Sequence, residues 1–242
     1  MKTSTSIFLV AIFLLGIGLV AYDFQLRTVF RKGDYTRAGY DYRILPYRGF
    51  DRIRLNASTA LNIRLVKGDF KVLAAPGTRD FLSIRQQGDQ LTIDALFQDH
   101  YRGLNADFAL YISCPDLKEI RADAEYRVGE EPHTDKTWME WGKISVISGF
   151  RLDSLTITEN NASHLVLTKD TINTLTAVVA PGAALTIGAA NKIAGGDMEV
   201  GNQARLIVRT PEVPALRYRL ADSAAVELSG AAAHQLIKTS QP

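Results

Sequence analysis

Thiol chemistry is almost absent from this chain: one cysteine, Cys114, stands in 242 residues, so no internal disulfide can staple the fold. Its neighbours, Tyr111 to Pro115, read as a strand ending in a turn, which predicts a buried structural thiol rather than a nucleophile. An excess of one charge is also lacking, with 28 basic against 26 acidic residues and a net charge of +2. No Lys/Arg cluster is interleaved with aromatics either, so a nucleic-acid partner is not expected. HExxH, CxxC and GxSxG do not occur, and His100, His133, His164 and His234 have no partner at metal-ligand spacing. Gly195, Gly196 and Asp197 lie inside a repeating segment and serve a bend rather than a phosphate loop. These absences predict no metal and no cofactor.

What the chain does contain is a repeat. Four segments share one register: LDSLTITENNASHLVL from Leu152, INTLTAVVAPGAALTI from Ile172, IAGGDMEVGNQARLIV from Ile193 and VPALRYRLADSAAVEL from Val213. Their first residues lie 20, 21 and 20 positions apart. The same offset carries Leu165 onto Leu185, Leu206 and Val226, and Leu167 onto Ile187, Val208 and Leu228. Apolar positions alternate, which is strand spacing. A turn former recurs at Asn161, Pro181, Asn202 and Asp222, followed two residues on by the small Ser163, Ala183, Ala204 and Ala224. So short a unit cannot bury its apolar side alone and must stack on copies of itself. The expected fold is all-β: a right-handed parallel β-helix with rungs of about 20 residues, preceded by an N-terminal hydrophobic helix. Leu185 belongs to an inward ladder in this register, and Thr186 beside it faces outward.

Ile7 to Tyr22 form the one uninterrupted apolar run, 16 residues without a charge. At 1.5 Å per residue it reaches about 24 Å, short for a bilayer crossing and long for a signal-peptide core, so leader and membrane anchor both stay open. Cleavage after Ala21 would put Leu19 where a small residue is preferred, which favours an uncleaved anchor. Lys2 precedes the run while Arg27, Arg31, Lys32 and Arg37 follow it, and the positive-inside rule would keep that side in the cytoplasm. The expected organisation is a leader or anchor over 1–22, a polar, tyrosine-rich juxtamembrane connector over 23–49, a folded domain over 50–237 and a tail over 238–242. Six residues precede the apolar run, which disfavours a signalling protein with a cytoplasmic domain.

From Phe50 the strands are shorter and less regular, punctuated by Gly68, Pro76-Gly77 and Gly88-Asp89, with a hairpin at QQGDQ. A small mixed sheet capping the coil is the expectation, because an open first rung would expose an unpaired strand edge. Pro115-Asp116-Leu117 with Ile120 and Ala122 has the spacing of Pro211-Glu212-Val213 with Leu216 and Tyr218, so both parts read as one fold. Residues 129–142 break the rhythm with charges, Pro132, Trp138 and Trp141, and read as an inserted loop. Exposed there, Trp138 and Trp141 would be the candidate partner contacts; folded back, they would pack on the coil.

The order of FDRIRL from Phe50, GDFKV from Gly68, the hairpin into LTIDA at Leu91, ISCPDLKEI from Ile112 and LADSAAVELSGAA from Leu220 resembles the autotransporter adhesin head domain family, also called the GIN domain. The resemblance covers Phe50 to His234. It implies a parallel β-helix exported from the bacterial cytoplasm, with Tyr22 onward in the periplasm or outside the cell, against the charge asymmetry. It carries no catalytic residues onto this chain.

The enzymatic alternative is a polysaccharide lyase or hydrolase on a β-helix scaffold. Outward positions in the register are Thr156, Thr176, Asp197 and Arg217 on one strand and Val166, Thr186, Ile207 and Glu227 on the other. The two acids fall in different columns, whereas a glycosidase needs two carboxyls about 5 to 10 Å apart and a calcium-assisted lyase several oxygens around one point. The expected function is a non-catalytic cell-envelope module, adhesin-like or scaffolding, extracytoplasmic and held at the membrane by its N-terminal helix. Its partner would be a surface protein or glycan. The runner-up is a carbohydrate-active enzyme whose carboxylates come from the irregular N-terminal half. Val166 and Ile207 on an outward ladder imply that part of that face is covered, by this chain or by a partner.

Overall fold

The computed structural model describes residues 8, 12–24, 27, 41–101, 106–138, 143–209, 216–230 and 232–233. The chain forms two compact units, Met1–Tyr42 and Arg43–Pro242. In the first, residues 12–24 are helical, and Phe13, Leu15 and Leu19 are exposed on them. Among the described residues no helix is long and apolar enough to cross a membrane, so the transmembrane span expected over 1–22 is not found there. Ile7, residues 9–11 and the tail over 238–242 lie outside the described residues.

The second unit is all-β. Its irregular part holds β1 (Arg43–Leu45), β2 (Arg52–Leu55), β3 (Ile63–Lys67), β4 (Lys71–Ala74), β5 (Leu82–Gln87), β6 (Gln90–Phe97), β7 (Leu110–Cys114), β8 (Glu119–Ala122), β9 (Glu125–Val128), β10 (Glu131–Thr134) and β11 (Ser145–Ser148). Its regular part holds β12 (Arg151–Glu159), β13 (His164–Thr168), β14 (Thr171–Val179), β15 (Ala184–Ile187), β16 (Lys192–Val200), β17 (Arg205–Val208), β18 (Leu216–Leu220) and β19 (Ala225–Leu228). One sheet runs β1-β4-β7-β3-β11-β13-β15-β17-β19, and the other β10-β9-β6-β2-β8-β12-β14-β16-β18, with β5 added on β6.

In the regular part the observed pairing is the register read from the sequence. Leu165, Leu185, Leu206 and Val226 are successive parallel partners, as are Leu167, Ile187, Val208 and Leu228. Leu165, Leu185 and Leu206 are fully buried, and Ser163, Ala183 and Ala204 close the turns into the same core. The long strands break their alternation where two outward residues follow one another, at Asp153-Ser154, Asn173-Thr174 and Ala194-Gly195, and the ladder skips Asp153, Asn173 and Ala194. A second corner carries a polar ladder: the Phe150 amide donates to Asp170 Oδ1 (2.8 Å) and the Asp170 amide to Asn191 Oδ1 (2.9 Å). Asn191 Nδ2 in turn donates to the Leu167 and Gly188 carbonyls. Buried corner amides and carbonyls must find such partners.

The irregular part departs from the expected all-parallel coil, since both sheets are mixed. β1 with β4, β4 with β7, β5 with β6 and β9 with β10 are antiparallel. Tight hairpins at Gly88 (φ 60°) and Gly129 (φ 61°) produce two of these pairs. Antiparallel returns also close the sheets at this end, where Phe81 stacks on Phe97 and Phe50 packs edge-on against Phe70. The 129–142 segment is thus not simply a loop, because it opens as the strand β10. β1 pairs with β4 although it falls within the expected connector.

Chain order and spatial order also diverge. β2 lies between β6 and β8, and β3 between β7 and β11, so the first two-strand unit in sequence is interior to the second. The expected match of Ile120 to Leu216 is corrected by two residues. Ile120 pairs with Ile157, whose column runs through Ala177 and Met198 to Tyr218. Cys114 is fully buried as expected, and burial pushes its thiol up to about 12.

Candidate functional site

The inserted segment is fastened to the turns of the regular part. The Asp135 amide donates to the Ala124 carbonyl, the Ala162 amide to the Asp135 carbonyl, and the Trp138 amide to the Gly182 carbonyl (2.8 Å). Gly182 sits at φ +81°, and a β-carbon there would meet the Lys136 carbonyl oxygen at 2.0 Å, so only glycine admits this approach. The Trp138 indole then lies over the sheet. Its Nε1–H donates to His164 Nδ1 (2.6 Å), and the Arg205 guanidinium stands 5.5 Å from its ring centre.

Indole can only donate, so His164 Nδ1 is unprotonated and its Nε2–H donates to Thr186 Oγ1, 3.0 Å away. Burial, with Arg209 nearby, lowers the His164 pKa to about 4 and keeps the ring neutral. Trp138 is therefore half-buried and engaged with its own chain. Trp141 lies outside the described residues. The outward ladder expected to be partly covered is covered here, with Thr186 at 6% exposure and Ile207 at 5%.

A cleft of about 440 Å³ lies in the irregular part between the β5–β6 and β9–β10 hairpins. Arg54 Nε donates to Asn56 Oδ1 (2.8 Å), Asn56 Nδ2 to Asp94 Oδ1 (2.5 Å), and Arg85 Nη2 to Asp94 Oδ2 (2.8 Å). These four residues form one fixed polar chain across the wall. Leu96, nearly half exposed, and Pro132 add apolar surface, while Glu125 and Arg127 line the β9 side. Behind them Tyr126 contacts His133, Phe97 and Tyr101 through tilted and edge-on ring pairs. The Arg85 to Asp94 contact was readable in principle, because the hairpin sets Arg85 opposite Thr92 and Ser83 opposite Asp94 on one face. Joining these residues to Arg54 and Glu125 requires the spatial order of β6, β2 and β9, which the sequence does not announce.

Two carboxyls are strongly perturbed, and both are sealed inside. Glu159 is fully buried in the inward column between Ala122 and Val179. Its Oε2 accepts the Leu165 amide (3.0 Å), and burial, against the pull of that amide and of the Ser163 hydroxyl, raises its pKa well above the usual carboxyl value. Asp170, 1% exposed, is pushed up to about 7 by burial, against the pull of the Phe150, Thr168 and Gly149 amides. A second concavity of about 450 Å³ runs along the regular part, but Lys118 there is held by Asp51 and Asp153 by Asn173. Among the described residues no group of three or more His, Cys, Asp or Glu side chains converges as a metal site.

No family model and no curated protein matches the chain. Solved structures do align with it. A "putative adhesin" of Bacteroides fragilis aligns over 78% of this chain and 96% of its own, at 10% identity and a TM-score of 0.46. A "putative adhesin" of Parabacteroides merdae aligns over 78% and 95%, at 11% identity and a TM-score of 0.40. A "putative lipid binding protein" of Parabacteroides distasonis aligns over 78% and 94%, at 10% identity and a TM-score of 0.31. At these values the functional reading rests on the geometry of the chain itself.

Proposed function

We propose that this chain is a non-catalytic binding module of the bacterial cell envelope, a right-handed parallel β-helix of the adhesin head type. It is exported, held at the membrane through its N-terminal apolar segment, and engages a surface glycan or protein. The scaffold reading draws on the parallel ladders that continue from β6 to β18 and from β7 to β19, together with the right-handedness that parallel crossovers favour.

The observation that carries the binding reading is the condition of the carboxyls. A general acid must be protonated and within reach of substrate. Asp94, in the cleft, is clamped as an acceptor between Asn56 and Arg85. The carboxyls whose pKa values rise, Glu159 and Asp170, are in the interior where no substrate arrives. A cleft so furnished can orient hydroxyls and charges without moving a proton. The purified full chain, incubated with a polysaccharide panel, should retain ligands weakly and release no reducing or unsaturated ends.

A second reading uses the same cleft. Asp94 and Glu125 both line it and both come from the irregular part, which is where a glycosidase on this scaffold would place its pair. Sugar release abolished by Glu125→Gln would establish that reading and overturn the first.

A further inference from the structure

We infer that the cleft between the two hairpins binds an acidic saccharide, one whose ring carries a carboxylate; the inference rests on the binding-module reading above. Three guanidinium groups line the cleft, those of Arg54, Arg85 and Arg127. Arg85 alone is matched by an acid, Asp94. Arg54 donates to the neutral amide oxygen of Asn56, and Arg127 Nη2 donates to the Glu130 carbonyl (3.0 Å). Neither forms an ion pair among the described residues, so each keeps donors and charge for an incoming anion. A planar fork of this kind matches a carboxylate with two parallel hydrogen bonds. Glu125 is the opposing charge, which leaves the lining with three cations against two carboxylates, one of them already consumed by Arg85.

The remaining surface suits a sugar better than other anions. Asn56 and Asp94 are locked to each other and present a fixed donor and acceptor pair for neighbouring hydroxyls. Leu96 and Pro132 offer apolar surface to the C–H face of a pyranose ring. The two aromatic rings of the lining, Tyr126 and His133, are tilted against each other with 5.4 Å between ring centres, rather than set parallel as a stacking platform for a nucleobase would be. At about 440 Å³ the cleft is within the usual range for a small ligand and open enough for a chain to pass along it.

The test is calorimetric titration of the full chain with trigalacturonate and, separately, with its methyl ester, which keeps the ring hydroxyls and loses the charge. The acid should bind at least about tenfold tighter than the ester at low salt, and the gap should close as ionic strength rises. Arg127→Ala, on an exposed strand, should abolish the preference with the urea midpoint unchanged, and Arg54→Gln should do so independently. Equal binding of acid and ester, binding of neither, or a preference that survives both substitutions overturns the inference and leaves a binding module of another specificity. Shortened or unsaturated products in the titration cell overturn the module reading itself.

Discussion

Two parts of the same pair of sheets solve the same problem differently. From β12 onward each strand lies on an equivalent strand one repeat away, and an apolar residue is buried because its counterparts above and below are buried. Before β12 the sheets are held together by hairpins, by phenylalanine contacts and by a pairing order that does not follow the chain. The regular part gains cohesion from identity between neighbours, and in the concavity along it Lys118 and Asp153 are already held by Asp51 and Asn173. The irregular part gives up that identity, and the cleft with its fixed polar chain is found there.

The largest effect should come from cutting the regular ladder. Leu185 is fully buried between Leu165 and Leu206, so Leu185→Ala should cost about 2 to 5 kcal/mol in urea unfolding. Nearest-neighbour stacking makes the damage local. Hydrogen exchange should speed up in β13 to β19 while β2, β3, β6 and β7 keep their protection. Uniform loss of protection across both parts would mean that they unfold as one unit and that their structural contrast has no energetic counterpart.

The same contrast decides what could be read from the sequence. Leu165, Leu185 and Leu206 were legible because a constant offset and strict alternation leave one register, and a slip of one residue would turn every apolar side chain outward. The corner ladder of Phe150, Asp170 and Asn191 follows the same offsets of 20 and 21 and was equally available. Glu159 was not, since beside Asn160 and Asn161 it reads as part of a polar turn, although its column holds Val179, Val200 and Leu220. Thr186 and Ile207 were assigned outward on a face expected to be partly covered, but the link from Thr186 through His164 to Trp138, a residue outside the repeat and 26 positions from His164, has no spacing to announce it. The interleaving of β6, β2 and β8 has no sequence signature, because antiparallel and displaced strands need not share a spacing.

The next effect is a pH dependence lodged in the regular part. Glu159 lies well above its ordinary 4.5 and Asp170 rises from 3.8 to about 7, both chiefly through burial. Each folded-state carboxyl therefore keeps its proton to a higher pH than the unfolded chain does. Their stabilisation is complete below the unfolded values and is lost as pH rises from there, for Asp170 until about pH 7, at up to about 1.4 kcal/mol per pH unit for each group. Glu159→Gln, a close isostere of the protonated acid, should flatten its share of the slope above the ordinary carboxyl value of 4.5. An unchanged slope in the variant would show that Glu159 ionises at its ordinary value.

A smaller effect belongs to the junction between the two parts. Trp138→Phe removes the hydrogen bond to His164, and Thr186→Ala removes its other partner; each should cost about 1 kcal/mol. Near-neutral behaviour at Thr186, as an open outward position would give, is not expected for a side chain at 6% exposure. Losing the indole also uncovers the imidazole, so the His164 pKa should climb from about 4 toward its ordinary value in Trp138→Phe, as an NMR titration of the ring would register. A ring that still titrates near 4 would mean that the sheet alone desolvates it.

The smallest difference separates two surface ion pairs of the same chemistry. Arg219 Nη2 stands 3.4 Å from Glu199 on the outer face of the regular part, with side chains 83% and 58% exposed. Arg85 Nη2 stands 2.8 Å from Asp94 in the cleft, where the aspartate is 24% exposed and also accepts from Asn56. Exposed pairs lose most of their Coulomb gain to solvent and to side-chain entropy, so Arg219→Ala should change stability by no more than about 0.5 kcal/mol. Arg85→Ala leaves a partly desolvated carboxylate with one partner fewer and should cost nearer 1 kcal/mol, declining as salt is added. Thermal melts of the two variants at low and high ionic strength compare them directly. Indistinguishable melts would mean that the Arg54, Asn56, Asp94 and Arg85 chain is no more organised than an ordinary surface, and the cleft would then lose the preorganisation on which selective ligand binding depends.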